Sequence, residues 1–123
     1  MDDIRWKVTD PFGNEIFLAE DNFRYHIIGQ HDSKDAKVRA EIEPQAKFSI
    51  EHPRFVIRDI QSPERVKYLS LTDIQDEETI YIRTIAVVVE KDVVVTWFAR
   101  RTINDVLKEG DIIYDARNNN LSA

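Results

Sequence analysis

The chain has no cysteine. That excludes a disulfide framework, a thiolate metal site and a thiol nucleophile, and it fits a reducing compartment. No apolar run approaches the length of a membrane span, and the acidic start Met-Asp-Asp is not that of a signal peptide. The expectation is a cytoplasmic protein without membrane attachment. An excess of positive charge is missing too: the formal charge is −6. Residues 1–53 carry 7 basic and 11 acidic side chains, residues 54–101 carry 8 of each, and residues 102–123 carry 2 and 4. Non-specific nucleic-acid affinity comes from neutralising phosphates, so such a chain is a poor general binder and has room only for a small local cationic site. Repeats and linkers are absent. With 42% hydrophobic residues over 123 positions, the chain can bury a core and reads as one domain over residues 1–123, with 115–123 a frayed tail.

What is present is a clear change of period along the chain. Ile4, Trp6 and Val8 alternate with Arg5, Lys7 and Thr9; Asp10-Pro11-Phe12-Gly13-Asn14 supplies turn chemistry, and Ile16–Leu18 returns as a second short strand. Asp21 is placed to cap a helix from Asn22 that Gly29 ends near His31. Ser33 is placed to cap a second helix, Asp35–Glu41, and Pro44 opens a third that runs through Ala46–Ile50. Val38, Ile42, Ala46 and Ile50 recur every four residues, a stripe suited to lie on a sheet. After Pro53 the pattern is that of strands: Arg54–Ile60, Arg65–Leu71, Ile80–Glu90 and Val93–Arg101. Asp73–Glu78 reads as an acidic turn, Ile103–Lys108 as weakly helical, and Ile112-Ile113-Tyr114 as an edge strand or a surface segment. The expected fold class is α+β: N-terminal helices packed on a four-stranded antiparallel meander, with a small N-terminal hairpin.

The two longest strand signals meet at Lys91-Asp92. With that pair as the turn, Val88 faces Val95, Ile85 faces Phe98, and Arg83 faces Arg100. Two apposed arginines repel unless an anion or carboxylate lies between them, so this face is the place to look for chemistry. The competing readings are structural. Arginines at strand ends can be paired by loop carboxylates, and threonine is a common strand residue. Trp6, Trp97 and Phe98 are more often core than base platforms. His26 has the same standing as a half-buried structural imidazole, while His31 and His52 stand where helices end. Two histidines five apart on a helix do not form a zinc pair, so no metal and no cofactor is expected.

Three local features align with a known group. They are His26-Ile27-Ile28-Gly29-Gln30-His31, the helix running into a strand through His52-Pro53-Arg54-Phe55, and the hairpin closing on Val94-Val95-Thr96-Trp97-Phe98. Together they resemble the phage-associated members of the barnase–EndoU–colicin–RelE nuclease superfamily, over roughly Trp6 to Arg101. The resemblance implies a small α+β domain from a prophage or mobile element that cleaves RNA without metal, by attack of the 2′-hydroxyl on the adjacent phosphate. That chemistry needs a proton carrier near neutral pH, cations for the phosphoryl oxygens and a hydroxyl to orient the phosphate. His26 or His31 would move the proton, Arg83 and Arg100 would clamp the phosphate, and Thr96 and Tyr81 would supply hydroxyls. Arg58, Lys67 and Tyr68 are second choices for substrate contacts, and Phe98 for stacking a base. The sequence departs from the barnase pattern: no glutamate on the central strands takes the general-base place unless Glu90 does, and it sits at the hairpin turn, while the net charge of −6 is unusual for an RNA-cleaving domain. The alternative is a non-catalytic interaction module of the same fold, with a neutralising or phage structural protein as partner.

Overall fold

The computed structural model describes residues 3–29, 32–76 and 79–119. The elements in order are β1 (Ile4–Thr9), β2 (Glu15–Ala19), α1 (Glu20–Asn22) continuing as a π-helical turn (Phe23–Ile28), α2 (Ser33–Glu41) and α3 (Glu43–Glu51). Then come β3 (Phe55–Asp59), β4 (Arg65–Asp76), β5 (Thr79–Glu90), β6 (Val93–Arg100), α4 (Ile103–Leu107), β7 (Gly110–Asp115) and α5 (Ala116–Asn119).

All seven strands join one sheet in the order β1-β2-β6-β5-β4-β3-β7. This corrects the expected four-stranded antiparallel meander. The sheet is mixed, because β2 lies parallel to β6 through the single pair Phe17↔Val93, and the N-terminal hairpin is thereby built into it. At the other end β7 pairs antiparallel with β3, and Gly110 lets its backbone approach: a Cβ there would lie 2.2 Å from the Arg58 carbonyl oxygen. Residues 116–119, expected to fray, form α5. Of the expected acidic turn Asp73–Glu78, residues 73–76 are strand, and Glu77 and Glu78 lie outside the described residues. β4 runs on to Asp76 and pairs with β5 throughout, from Arg65↔Glu90 to Asp76↔Thr79.

The helices follow local chemistry closely. The side chain of Asp32, not Ser33, accepts from the Asp35 amide at 2.9 Å and caps α2. Pro44 occupies the first turn of α3, where an amide proton has no helical acceptor in any case. α1 begins without the expected side-chain cap from Asp21, its N-cap being Ala19. Ile42, Ala46 and Ile50 are all buried against one sheet face, together with Val56, Tyr68, Ile85, Val87 and Trp97. Phe55, Ile57, Leu69 and Ala86 alternate to the other face, where α4 covers them with Val106. Trp97 is fully buried, stacked on Trp6 at 6.2 Å and tilted against Phe23 at 5.9 Å, which makes it core and not a base platform. Across the helix side, Arg5 joins Glu20 and Glu43 at 2.9 and 2.5 Å and lies 3.7 Å over the Phe23 ring. Among the described residues no helix is long and apolar enough to cross a membrane.

Candidate functional site: the open edge of the sixth strand

The register at the Lys91-Asp92 turn decides which side chains meet. Both turn residues take positive φ, 52° and 67°, as a two-residue hairpin with native twist requires. Glu90 faces Val93 and Val89 faces Val94, but Val88 then faces Thr96: Val95 is an extra residue, a β-bulge. Every later pair is displaced by one. Ile85 faces Ala99 instead of Phe98, and Arg100 faces Thr84. Arg83 pairs with Thr72, one residue along from Thr84, and so points to the opposite face from Arg100. The expected arginine clamp does not form.

A different pair of guanidinium groups does come together. β2 leaves β6 after Val93, so from Val94 onward the edge of β6 turned away from β5 has no strand beside it. Side chains take that place. Asn22 donates from Nδ2 to the carbonyls of Val94 and Val95 at 2.8 and 3.1 Å. Arg39, on α2, donates from Nη1 to the Trp97 carbonyl and, at 3.1 Å, to Thr96 Oγ1. Trp97 Nε1 returns a bond to the Arg39 carbonyl at 2.9 Å, and Asp35 Oδ2 accepts from Arg39 Nε at 3.2 Å. Arg39 is therefore first of all a cap for an open strand edge. It also lines a cavity of about 270 Å³ whose wall includes Asp35, Phe98 and Arg100. Arg100 is exposed and lies 4.5 Å over the half-buried Phe98 ring, with its charge available at the rim.

His26 follows Asn22 by four residues, within one helical turn, and is not among the residues that line this cavity. His26 is exposed, while Ile27 beside it is fully buried in the core. His31 lies outside the described residues. His52 ends α3 with its ring 5.2 Å from that of Phe48, away from this cavity.

The remaining expected site residues are dispersed. Arg83 is half-buried and donates to the Ile82 carbonyl at 3.1 Å. The backbone of Tyr81 pairs with Ile74, and its side chain lies outside the described part. Lys67 is buried on the α4 side, between Glu109 at 3.2 Å and Asp59 at 3.6 Å, as an internal ion pair. Tyr68 donates its hydroxyl to buried Asp10 at 2.5 Å, and burial together with that carboxylate pushes the phenol far above its ordinary range. Arg58 is exposed on β3 and lines a second cavity with Tyr68. Thus Thr96, Phe98 and Arg100 assemble at one place, and Arg58 and Tyr68 at another. Arg39 was missed by sequence reasoning; its only signal is Asp35 four residues earlier on the same helix face. Among the described residues no group of three His, Asp or Glu side chains is placed to hold a metal ion.

Comparison with known protein families, with curated proteins and with solved structures finds no match.

Proposed function

We propose that the open edge of β6 binds the phosphodiester backbone of single-stranded RNA and cleaves it without a metal. The observation that carries this reading is the arrangement at one cavity: Arg39 bonded to Thr96 Oγ1, with Arg100 and Phe98 on the wall beside it. Arg39 and Arg100 replace the expected Arg83–Arg100 clamp as the cations for the phosphoryl oxygens. The Thr96 hydroxyl, held by Arg39, orients the phosphate, and the Phe98 ring offers a face for a base. His26 takes the proton from the 2′-hydroxyl and later returns it to solvent; the 2′-oxygen bonds to phosphorus, the bond to the 5′-oxygen breaks, and that oxygen takes a proton from water as it leaves. The products are a 2′,3′-cyclic phosphate and a 5′-hydroxyl. In this reading the chain works in the cytoplasm, as a prophage or mobile-element domain, and a neutralising protein would cover this edge.

A second reading has one observation in its favour: Asp35 already pairs with Arg39, so the edge can hold a ligand or partner protein without turnover. The experiment that separates the two is incubation of labelled RNA with the protein in excess chelator. Cleavage at sites that 2′-O-methylation protects, lost in both His26→Ala and Arg100→Gln at unchanged melting temperature, supports the enzyme. Binding that needs Arg100 but leaves RNA intact supports the module. If neither binding nor cleavage depends on Arg100, both readings fail.

A further inference from the structure

The second cavity, about 390 Å³, lies on the helix-side face, over Val56, Tyr68 and Val89, and shares no lining residue with the β6-edge cavity. That volume is within the usual range of small-molecule sites, roughly 300–1,000 Å³. Its floor is apolar and rigid. Val56, Tyr68 and Val89, from three neighbouring strands, are 0, 2 and 1% exposed, so the cavity reaches down to the core. One wall is Phe12, on the turn between β1 and β2. Buried Asp10 fixes that turn, accepting from the amides of Phe12 and Asn14 at 3.0 and 2.8 Å while Tyr68 anchors Asp10 from below. The Phe12 ring is further held edge-on to Tyr114, 5.8 Å between centroids. A wall this well supported is set before any ligand arrives.

The charges at the mouth select the ligand. Four ionised side chains line it: Arg58, Glu64, Lys91 and Asp92. Lys91 and Glu64 pair with each other at 3.8 Å. Arg58 and Asp92 have no ion pair among the described residues, although Asp111 stands opposite Arg58 on β7. An apolar floor under one uncommitted guanidinium and one uncommitted carboxylate suits neither a simple anion nor a simple cation. A carboxylate alone would be attracted by Arg58 and repelled by Asp92, and an amine alone the reverse.

We propose that this cavity is a binding site for a zwitterionic apolar amino acid, its carboxylate on Arg58, its ammonium on Asp92 and its side chain on the valine floor. The site is independent of the RNA reading. Calorimetric titration of the full chain with L-phenylalanine and L-leucine tests it, with phenylacetate and phenethylamine as the half-charged controls. The expected result is sub-millimolar binding of the amino acids and at least tenfold weaker binding of both controls. Arg58→Gln and Asp92→Asn should each weaken L-phenylalanine by about tenfold, the lower end for a charge-assisted hydrogen bond. Both variants preserve the fold: Arg58 is exposed, and asparagine accepts the positive φ of 67° at position 92. Amide shifts on titration should centre on Val56, Val66 and Val89. Arg100→Gln should leave amino-acid binding unchanged, and Arg58→Gln should leave RNA binding unchanged, so either site can fail alone. No binding by either amino acid, controls that bind as tightly, or variants that match the wild type would each overturn the proposal.

Discussion

Arg39→Met is the substitution that asks most of this structure. Methionine keeps much of the apolar stem and removes every donor, so the side-chain packing of Arg39, only 14% exposed, is largely retained. Three interactions go. The Trp97 carbonyl loses its charged donor at a strand edge with no neighbouring strand, and Trp97 itself is fully buried. An unsatisfied group of that kind costs about 1.5–3 kcal/mol. Thr96 is half-buried and its hydroxyl can turn to water, so its loss adds little. The Asp35 pair, 14% and 44% exposed, contributes less than about 1 kcal/mol after solvent screening. The sum is about 2–4 kcal/mol, which for a domain of this size lowers the melting temperature by roughly 6–20 °C. Urea denaturation is the better assay: the midpoint should fall with an unchanged slope, while Asp35→Asn should lower the unfolding free energy by less than about 1 kcal/mol. A value for Arg39→Met within about 0.5 kcal/mol of wild type would refute the edge-cap account. The arginine would then be held there for a ligand alone, at some cost to the fold.

Tyr68→Phe removes a hydroxyl proton from Asp10 and leaves a buried carboxylate one donor short, so equilibrium unfolding should show a loss of about 1–3 kcal/mol. Gly110→Ala puts a methyl group 2.2 Å from the Arg58 carbonyl oxygen, a backbone atom that cannot yield without β7 leaving β3. A destabilisation of about 1–3 kcal/mol, with faster hydrogen exchange at the amides between β3 and β7, is expected. Burial acts to raise the Glu43 carboxyl, but the hydrogen bonds from Arg5 and Trp6 outweigh it and hold the group below its ordinary range. A depressed folded-state pKa contributes stability above the unfolded value, near about 4.3, and loses it as pH falls through the folded one. Urea midpoints should therefore fall with acidification below about pH 4, and fall less in Glu43→Gln.

The local chemistry of the chain is legible where one residue type admits one conformation. Lys91-Asp92 reads as a turn because a polar pair interrupts two β-branched runs, and the Ile42, Ala46, Ile50 stripe reads as a helix on a sheet because its spacing fits nothing else. The register of β6 is not legible for the opposite reason. Alternation reports a strand's facing only when apolar and polar residues differ, and Val93-Val94-Val95 is apolar whichever way it turns. A bulge there changes nothing in the pattern, yet it moves Arg100 to the other face from Arg83. The acidic residues Asp73 and Asp76 hide the extension of β4, since aspartate is depleted in strands and enriched in turns. The β2–β6 contact rests on one residue pair, below anything a sequence pattern can signal. Arg39 is not legible in the sequence because its partners Thr96 and Trp97 lie 57 and 58 residues away, beyond any local pattern.

On the proposed reading, the cations of the β6 edge set how RNA affinity depends on salt. A chain of charge −6 repels nucleic acid at long range, so attraction has to come from the few cations at the β6 edge. Only Arg39 and Arg100 line that cavity as cations, and Asp35 shares the first of them. Two phosphates neutralised on a single strand give a slope of log K against log salt of about −1.4, and the Asp35 pairing holds it nearer to about −0.7. Fluorescence anisotropy of a short labelled RNA across a salt series, in chelator and with His26→Ala to prevent turnover, measures that slope directly. Arg100→Gln should take it close to zero. A slope steeper than about −3 would require cations this edge does not possess, and the RNA would then have to run over another surface of the sheet.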